Sequence, residues 1–478
     1  MSHDRYQSPL SERYASREMG HIFSPQKKHA LWRRLWIALA EAQKELGLTI
    51  SQEQIDELKK NSDAIDFEAA RNYETKFRHD VMAHIHTYGD LCPKARPIIH
   101  LGATSCYVTD NGDILQMREA LELLEKKLAR AVRQLAGFAD AHKTVACLGF
   151  THYQPAQLTT VGKRACLWIQ DLLMDLNTLS CCRSGLKLLG AKGATGTQAS
   201  FLSLFDGDRQ KVRELDRLVC KKMGFTEVFP ITGQTYSRKQ DAAILNALSG
   251  IAVSAHKCAG DLRLLANLKE MEEPFEKSQV GSSAMPYKRN PMLSERICSL
   301  ARFLISLSEN GAYTAAAQWF ERTLDDSANR RLALSEAFLT ADALCNLLIR
   351  VTEGLLLYPK VIERRVREEL PFMATENILM ASVQKGGDRQ TLHEKLRAHS
   401  IEAARKVKEE GKENDLLQRI ENDAAFPLTS KELEEILNVE HFVGMAPEQT
   451  EAFIANEVWP IVEPYAKKPQ EQLSCPAV

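Results

Sequence analysis

The run ILQMREALELLEKKLARAVRQLAGF, Ile114 to Phe138, decides the fold class. Within it Ile114, Met117, Leu121, Leu124, Leu128, Val132, Leu135 and Phe138 step by three or four, the stripe of one long amphipathic helix. The pattern recurs on the C-terminal side in Val161, Ala165, Trp168, Leu172, Leu176 and Leu179. It returns in Leu293, Ile297, Leu300, Leu304 and Leu307, and again in Leu334, Phe338, Ala341, Cys345, Leu348 and Val351. Asp241 to Leu268 is apolar on most sides, as in a helix surrounded by others. No proline falls between Pro97 and Pro155, Pro155 and Pro230, or Pro291 and Pro359, so nothing interrupts long helices there. Five such segments packed lengthwise make an all-α bundle, with strand signals weak and short. On the N-terminal side, Leu31, Leu35, Leu39, Ala42 and Leu46 mark another helix, and Ser51 with Gln54 reads as a capping box for the next. Past Pro359 the chain is more charged, with HEKLRAHSIEAARKVKEEGKEND around residues 393 to 415 reading as solvated helix. We expect three domains: an N-terminal helical domain (1–104), a central long-helix bundle (105–357) and a C-terminal helical domain (358–478).

Composition bounds what the chain does. Its 478 residues are about three times the ~150-residue domain prior, enough for an extensive core. With 62 Lys+Arg against 63 Asp+Glu, the charge of −1 provides no chain-wide footprint for nucleic acid or anionic membrane. The longest uncharged apolar stretch, Ala242 to His256, is shorter than the ~20 residues of a spanning helix. The charged start MSHDRYQSPLSERY lacks the apolar core of a secretory signal, and a cytoplasmic location is expected. Eleven cysteines without a C-x-x-C pair fit reduced, mostly buried thiols, not a disulfide framework or zinc knuckle.

Chemistry concentrates in GSSAMPYKRNP, Gly281 to Pro291, where two serines follow a glycine and Lys288 and Arg289 add positive charge. Such a loop can close over an anion, although composition alone fits a solvated connector equally well. A serine acts as a base only when neighbouring cations and backbone N–H groups favour its ionised form, and either Ser282 or Ser283 qualifies. Asp325-Asp326-Ser327 reads as the start of a long helix, and its N-terminus, flanked by Arg322 and Arg331, suits phosphate. Read alone, the same residues are an N-cap with solvated charges. His79, His84 and His86 lack the i, i+4 spacing of H-E-x-x-H, so no metal is expected. GAKGATGTQ, Gly190 to Gln198, lacks the ending of a P-loop and reads as a turn near the site; no G-x-G-x-x-G element calls for a dinucleotide cofactor.

With HLGATS (His100 to Ser105) and GFTHYQPAQ (Gly149 to Gln157), the GSS loop resembles the three signature regions of the fumarase/aspartase superfamily. Within it the resemblance is to the branch acting on succinylated purine nucleotides. It extends over essentially the whole chain, including RHDVMAHIH (Arg78 to His86) and ERTLDDSANRR (Glu321 to Arg331). The resemblance implies elimination of fumarate without a cofactor, by a homotetramer whose active sites are composite. It implies Ser282 as the base, His152 as the acid that protonates the leaving nitrogen, and His79 and Lys288 as further catalytic groups. It implies phosphate binding by Arg13, Tyr14, Arg322, Ser327 and Arg331. Thr104, Ser105, Thr151, Gln234, Asn290 and Arg296 would hold the succinyl part, with Arg78 and Asp80 beside His79. Many superfamily members carry Asp and Thr where this chain has Tyr107 and Asn111. Two alternatives stay open: a lyase of argininosuccinate or malate, which would share the loop without needing the Arg322/Ser327/Arg331 cluster, and a non-catalytic structural homologue.

Overall fold

The computed structural model describes residue 4, residues 6–275 and residues 284–466. Helix α1 (Pro25–Glu45) opens with proline at its first position, and Ser24 Oγ accepts from the Lys27 N–H. The expected capping box is present: Ser51 Oγ accepts from Gln54 N–H at 3.2 Å while Gln54 Oε1 accepts from Ser51 N–H at 2.9 Å. Helix α2 (Asp80–Leu91) is capped by His79.

Five long helices follow: α3 (Ser105–Ala141), α4 (Val161–Ser184), α5 (Lys239–Asn267), α6 (Met292–Ala316) and α7 (Asp326–Glu353). The 37 residues of α3 span about 55 Å at 1.5 Å per residue. Its stripe from Ile114 to Leu135 is buried, and Phe138 packs against the same core. Helix α5 packs on α4, α6 and α7, and α3 packs on α1, α4 and α7. The indole of Trp168 donates to Asp261 at 2.7 Å, tying α4 to α5. At Gly311 of α6 a Cβ would lie 2.8 Å from Ala242 Cα, so the close approach of α6 to α5 requires glycine. Within one chain α5 is buried on most sides, with Val253 and Leu264 exposed.

Most strand content among the described residues is the hairpin β1 (Ala146–Thr151) and β2 (Gln154–Thr160). A second, two-residue pairing joins Met271–Glu272 to Leu356–Leu357. One continuous core runs from Leu10 and Met19 through Trp36 and the bundle stripes to Ile454, Val458 and Val462. A separate core gathers Ile378, Leu392, Leu396, Leu416, Ile420 and Leu433 in the C-terminal segment. There, helix α8 (Arg389–Glu410) carries the expected solvated ion pairs, such as Arg397 with Glu394.

Helix α7 is long and apolar enough by composition to cross a membrane, yet 83% of its most apolar window is buried within the fold. This arrangement follows from its position against α3, α5 and α6. All described cysteines are free thiols, and only Cys181 is exposed.

Candidate active site

A cavity of about 770 Å³ opens where α2, the start of α3, the 234–238 segment and the start of α7 converge. It brings together Arg78, His79, Asp80, Ser105, Gln234, Arg322, Ser327 and Arg331, expected site residues from four distant stretches of chain. The remaining expected residues among those described do not line it. Thr104 is the N-cap of α3, with no side-chain capping bond. Arg13 is exposed, and the Tyr14 ring lies 5.8 Å from the Arg296 guanidinium, linking the N-terminal segment to α6. Lys288 is exposed, and Asn290 lies just ahead of α6. Ser282 and its alternative Ser283 lie outside the described residues.

His152 sits elsewhere on the surface of the same chain. β1 ends at Thr151 and β2 begins at Gln154, so His152 and Tyr153 alone make the connection, with φ of 52° and 57°. Two left-handed residues in a two-residue loop match the twist of an antiparallel hairpin. The geometry holds His152 exposed at the tip beside Thr151, outside the cavity lining.

Inside the cavity His79 has a defined orientation. Its Nδ1 accepts from the Met82 N–H at 3.3 Å, so in the neutral ring the proton is on Nε2, which faces Ser105 Oγ at 3.3 Å. The other two histidines of that stretch go elsewhere. His84 stacks on His29 at 3.6 Å, and His86 lies against Tyr73 and Phe77. Among the described residues, no group of three or more His, Cys, Asp or Glu side chains is arranged to hold a metal. His100 is also structural: its Nδ1 accepts from the Trp36 indole at 2.9 Å, and burial lowers its pKa to about 4.

The charges lining the cavity nearly balance. The lining cations Lys28, Arg78, Arg238, Arg322, Arg330 and Arg331 face Glu74, Asp80, Asp110, Asp113 and Asp326, six positive groups against five negative. Arg331 pairs with Asp80 at 3.1 Å and Arg322 with Asp326 at 2.8 Å. Burial alone would raise the Asp326 carboxyl, but Arg238 and Arg322 outweigh it and hold it below its ordinary value.

Sequence reasoning missed Lys28, Glu74, Asp110, Asp113, Arg238 and Arg330. The buried ones carry no local signal, because a charge becomes interpretable only when its partner on another helix is known. The two departures from the superfamily pattern are structural. Buried Tyr107 donates to the Leu35 carbonyl at 2.8 Å, and buried Asn111 bonds both the N–H and the C=O of Gly190 at 3.1 Å. The glycine-rich turn thus docks on α3, and its Ala194 carbonyl accepts from the Gln234 amide at 3.1 Å.

A family model described as lyase matches residues 33–304, and one described as adenylosuccinate lyase C-terminus matches residues 371–453. The chain is 54% identical over 468 residues to an adenylosuccinate lyase of Saccharomyces cerevisiae, covering 97% of each chain. It is 32% identical to one of Pyrococcus abyssi, covering 93% of this chain and 96% of the relative. In fold it is similar to a 3-carboxy-cis,cis-muconate lactonizing enzyme of Pseudomonas putida, with a TM-score of 0.82 at 21% identity, covering 96% of this chain and 99% of that one. On the full-length identity to those relatives and the match at both ends of the fold, the chain belongs to the adenylosuccinate lyase family.

Proposed function

We propose that this chain eliminates fumarate from adenylosuccinate, giving AMP, and from succinylaminoimidazole carboxamide ribotide, giving the free carboxamide ribotide, in purine nucleotide biosynthesis. The observation that carries the reading is the single cavity uniting residues 78–80, Ser105, Gln234 and the Arg322–Arg331 segment, in a chain full-length similar to adenylosuccinate lyases.

In the elimination a base removes a proton from the carbon beside one carboxylate, the C–N bond breaks, and an acid protonates the departing nitrogen. Negative charge accumulates on that carboxylate, and oriented donors must meet it. Ser282 is the base in this reading, with Lys288 favouring its ionised form. His152 is the acid. His79, oriented by the Met82 N–H, holds Ser105 by hydrogen bonding and governs proton placement at that wall. Arg322, Ser327 and Arg331, with Arg13 and Tyr14, bind the phosphate. Thr104, Ser105, Thr151, Gln234, Asn290 and Arg296 hold the succinyl group beside Arg78 and Asp80. No cofactor takes part. Because Arg331 already pairs with Asp80, a phosphate competes with that carboxylate instead of meeting a bare cation.

The site is composite and the enzyme a homotetramer in this reading. It is supported by His152, which is exposed on a hairpin tip outside its own chain's cavity, and by apolar Leu167, Met174, Val253 and Phe303 exposed along the bundle helices. The three-part division at 104/105 and 357/358 is supported by the long helices from Ser105 to Glu353, and a distinct C-terminal part by the separate core around Ile420, while the main core continues into both flanking parts through Trp36 and Val458. Small succinyl nucleotides are the partners, without nucleic acid or membrane, and the location is cytoplasmic. The test offers purified protein adenylosuccinate and argininosuccinate while fumarate release is followed. Preference for adenylosuccinate is expected; preference for argininosuccinate, or no turnover of either, overturns the reading.

A further inference from the structure

The wall of the cavity holds a largely buried ionic network in which Arg322 is the one expected site residue. Arg238, 2% exposed, grips Asp110 of α3 through Nη1 at 2.9 Å and Nη2 at 3.3 Å, while its Nε donates to Asp326 of α7 at 2.8 Å. Asp326 spends its other oxygen on Arg322, at 2.8 Å. The main chain beside Arg238 joins in, because the Tyr236 N–H donates to Asp110 at 3.2 Å. One guanidinium therefore links three segments: the start of α3 with Ser105, the segment with Gln234, and the arm with Arg322, Ser327 and Arg331. Arginine suits this position because its planar fork serves two carboxylates at once; the point charge of lysine cannot.

We infer that Arg238 is a positioning residue that acts through Asp326 to hold Arg322 in register for the substrate phosphate. The inference rests on the functional reading above. When Arg322 turns toward phosphate, Arg238 keeps Asp326 paired, so the buried carboxylate is not stranded. A purely structural tie would weaken all ligands alike; a positioning device weakens those that carry the phosphate.

The test measures AMP and adenosine binding to the full-length assembled protein by calorimetry. The parent should bind AMP more tightly than adenosine. Arg238→Lys should weaken AMP about tenfold and adenosine less than about twofold, and should raise KM for adenylosuccinate more than it lowers kcat. In an Arg322→Ala background, Arg238→Lys should add less than about twofold to the loss of AMP binding. Equal weakening of AMP and adenosine, no change in either, or full additivity with Arg322→Ala overturns the inference while leaving the lyase reading intact. If the parent itself does not discriminate AMP from adenosine, the phosphate assignment fails first and the inference falls with it. Should Arg238→Lys fail to assemble, Asp326→Asn is judged by the same selectivity: loss of the AMP preference supports the linkage, and its retention overturns it.

Discussion

Lys127 offers a sharp energetic test, because it and its partner Asp342 are both fully buried where the N-terminal segment meets the bundle. Lys127 Nζ lies 2.5 Å from Asp342 Oδ1, with side-chain exposure of 0% on both residues. Lys127 also donates to Ser16 Oγ at 2.9 Å. The other oxygen of Asp342 accepts from the Ser16 N–H at 2.7 Å and from the Asn346 amide at 3.1 Å. Ser16 lies two residues beyond Tyr14, so this pair anchors the segment that presents Arg13 and Tyr14. Lys127→Met fills similar volume but leaves the Asp342 charge buried without its cation, at a cost of about 3–5 kcal/mol. That is roughly two to three and a half powers of ten in the folding equilibrium. Urea unfolding followed by far-UV circular dichroism, at one fixed subunit concentration because the proposed assembly would be linked to stability, should show the loss. The double variant Lys127→Met/Asp342→Asn removes both charges and should recover most of it, since Asn346 Oδ1 is itself unpartnered and available to a new amide. A loss below about 1 kcal/mol for the single variant, or a double variant no more stable than the single, refutes the reasoning.

Other consequences are equally open to measurement. His84, 7% exposed and stacked on His29, has its pKa lowered to about 4, chiefly by burial and then by Arg33. The unfolded chain therefore binds the extra proton below pH ~6.5, so stability present above that pH declines as the pH falls toward 4. The cost by pH 5 is about 2 kcal/mol. In His84→Phe the urea midpoint should fall less between pH 7 and pH 5; an unchanged pH dependence would show that this imidazole is not the proton acceptor. Arg331→Ala removes an exposed pair worth at most about 1 kcal/mol of stability but a charged phosphate contact worth about 1.5–3 kcal/mol, so KM for adenylosuccinate should rise at least tenfold while the urea midpoint hardly moves. Ser282→Ala and His152→Asn should abolish most turnover and leave folding and assembly intact, and normal fumarate release by either would reassign that step. Sedimentation combined with activity assays should find turnover in the tetramer alone; a fully active monomer would contradict the composite site.

Helical periodicity was sufficient to read the architecture, because a stripe such as Ile114 to Leu135 can be buried in only one way along a helix. Local rules likewise anticipated the Ser51–Gln54 box and the solvated helix near residue 400, since capping and exposed i, i+4 charge depend on neighbours in sequence. The resemblance carried by the signature stretches nominated part of the cavity lining, including His79, Ser105, Gln234, Arg322 and Arg331. Tertiary structure alone decided how those groups are held. Asp110, Arg238 and Asp326 look like ordinary solvated charges in sequence, and only the crossing of three segments turns them into one buried network. The same holds for His152, whose hairpin is short and whose exposed tip follows from two left-handed residues that no periodic pattern encodes. Local interactions are written into the order of residues, whereas the cost of burying a charge, and the partner that offsets it, are set by packing between segments distant in the chain.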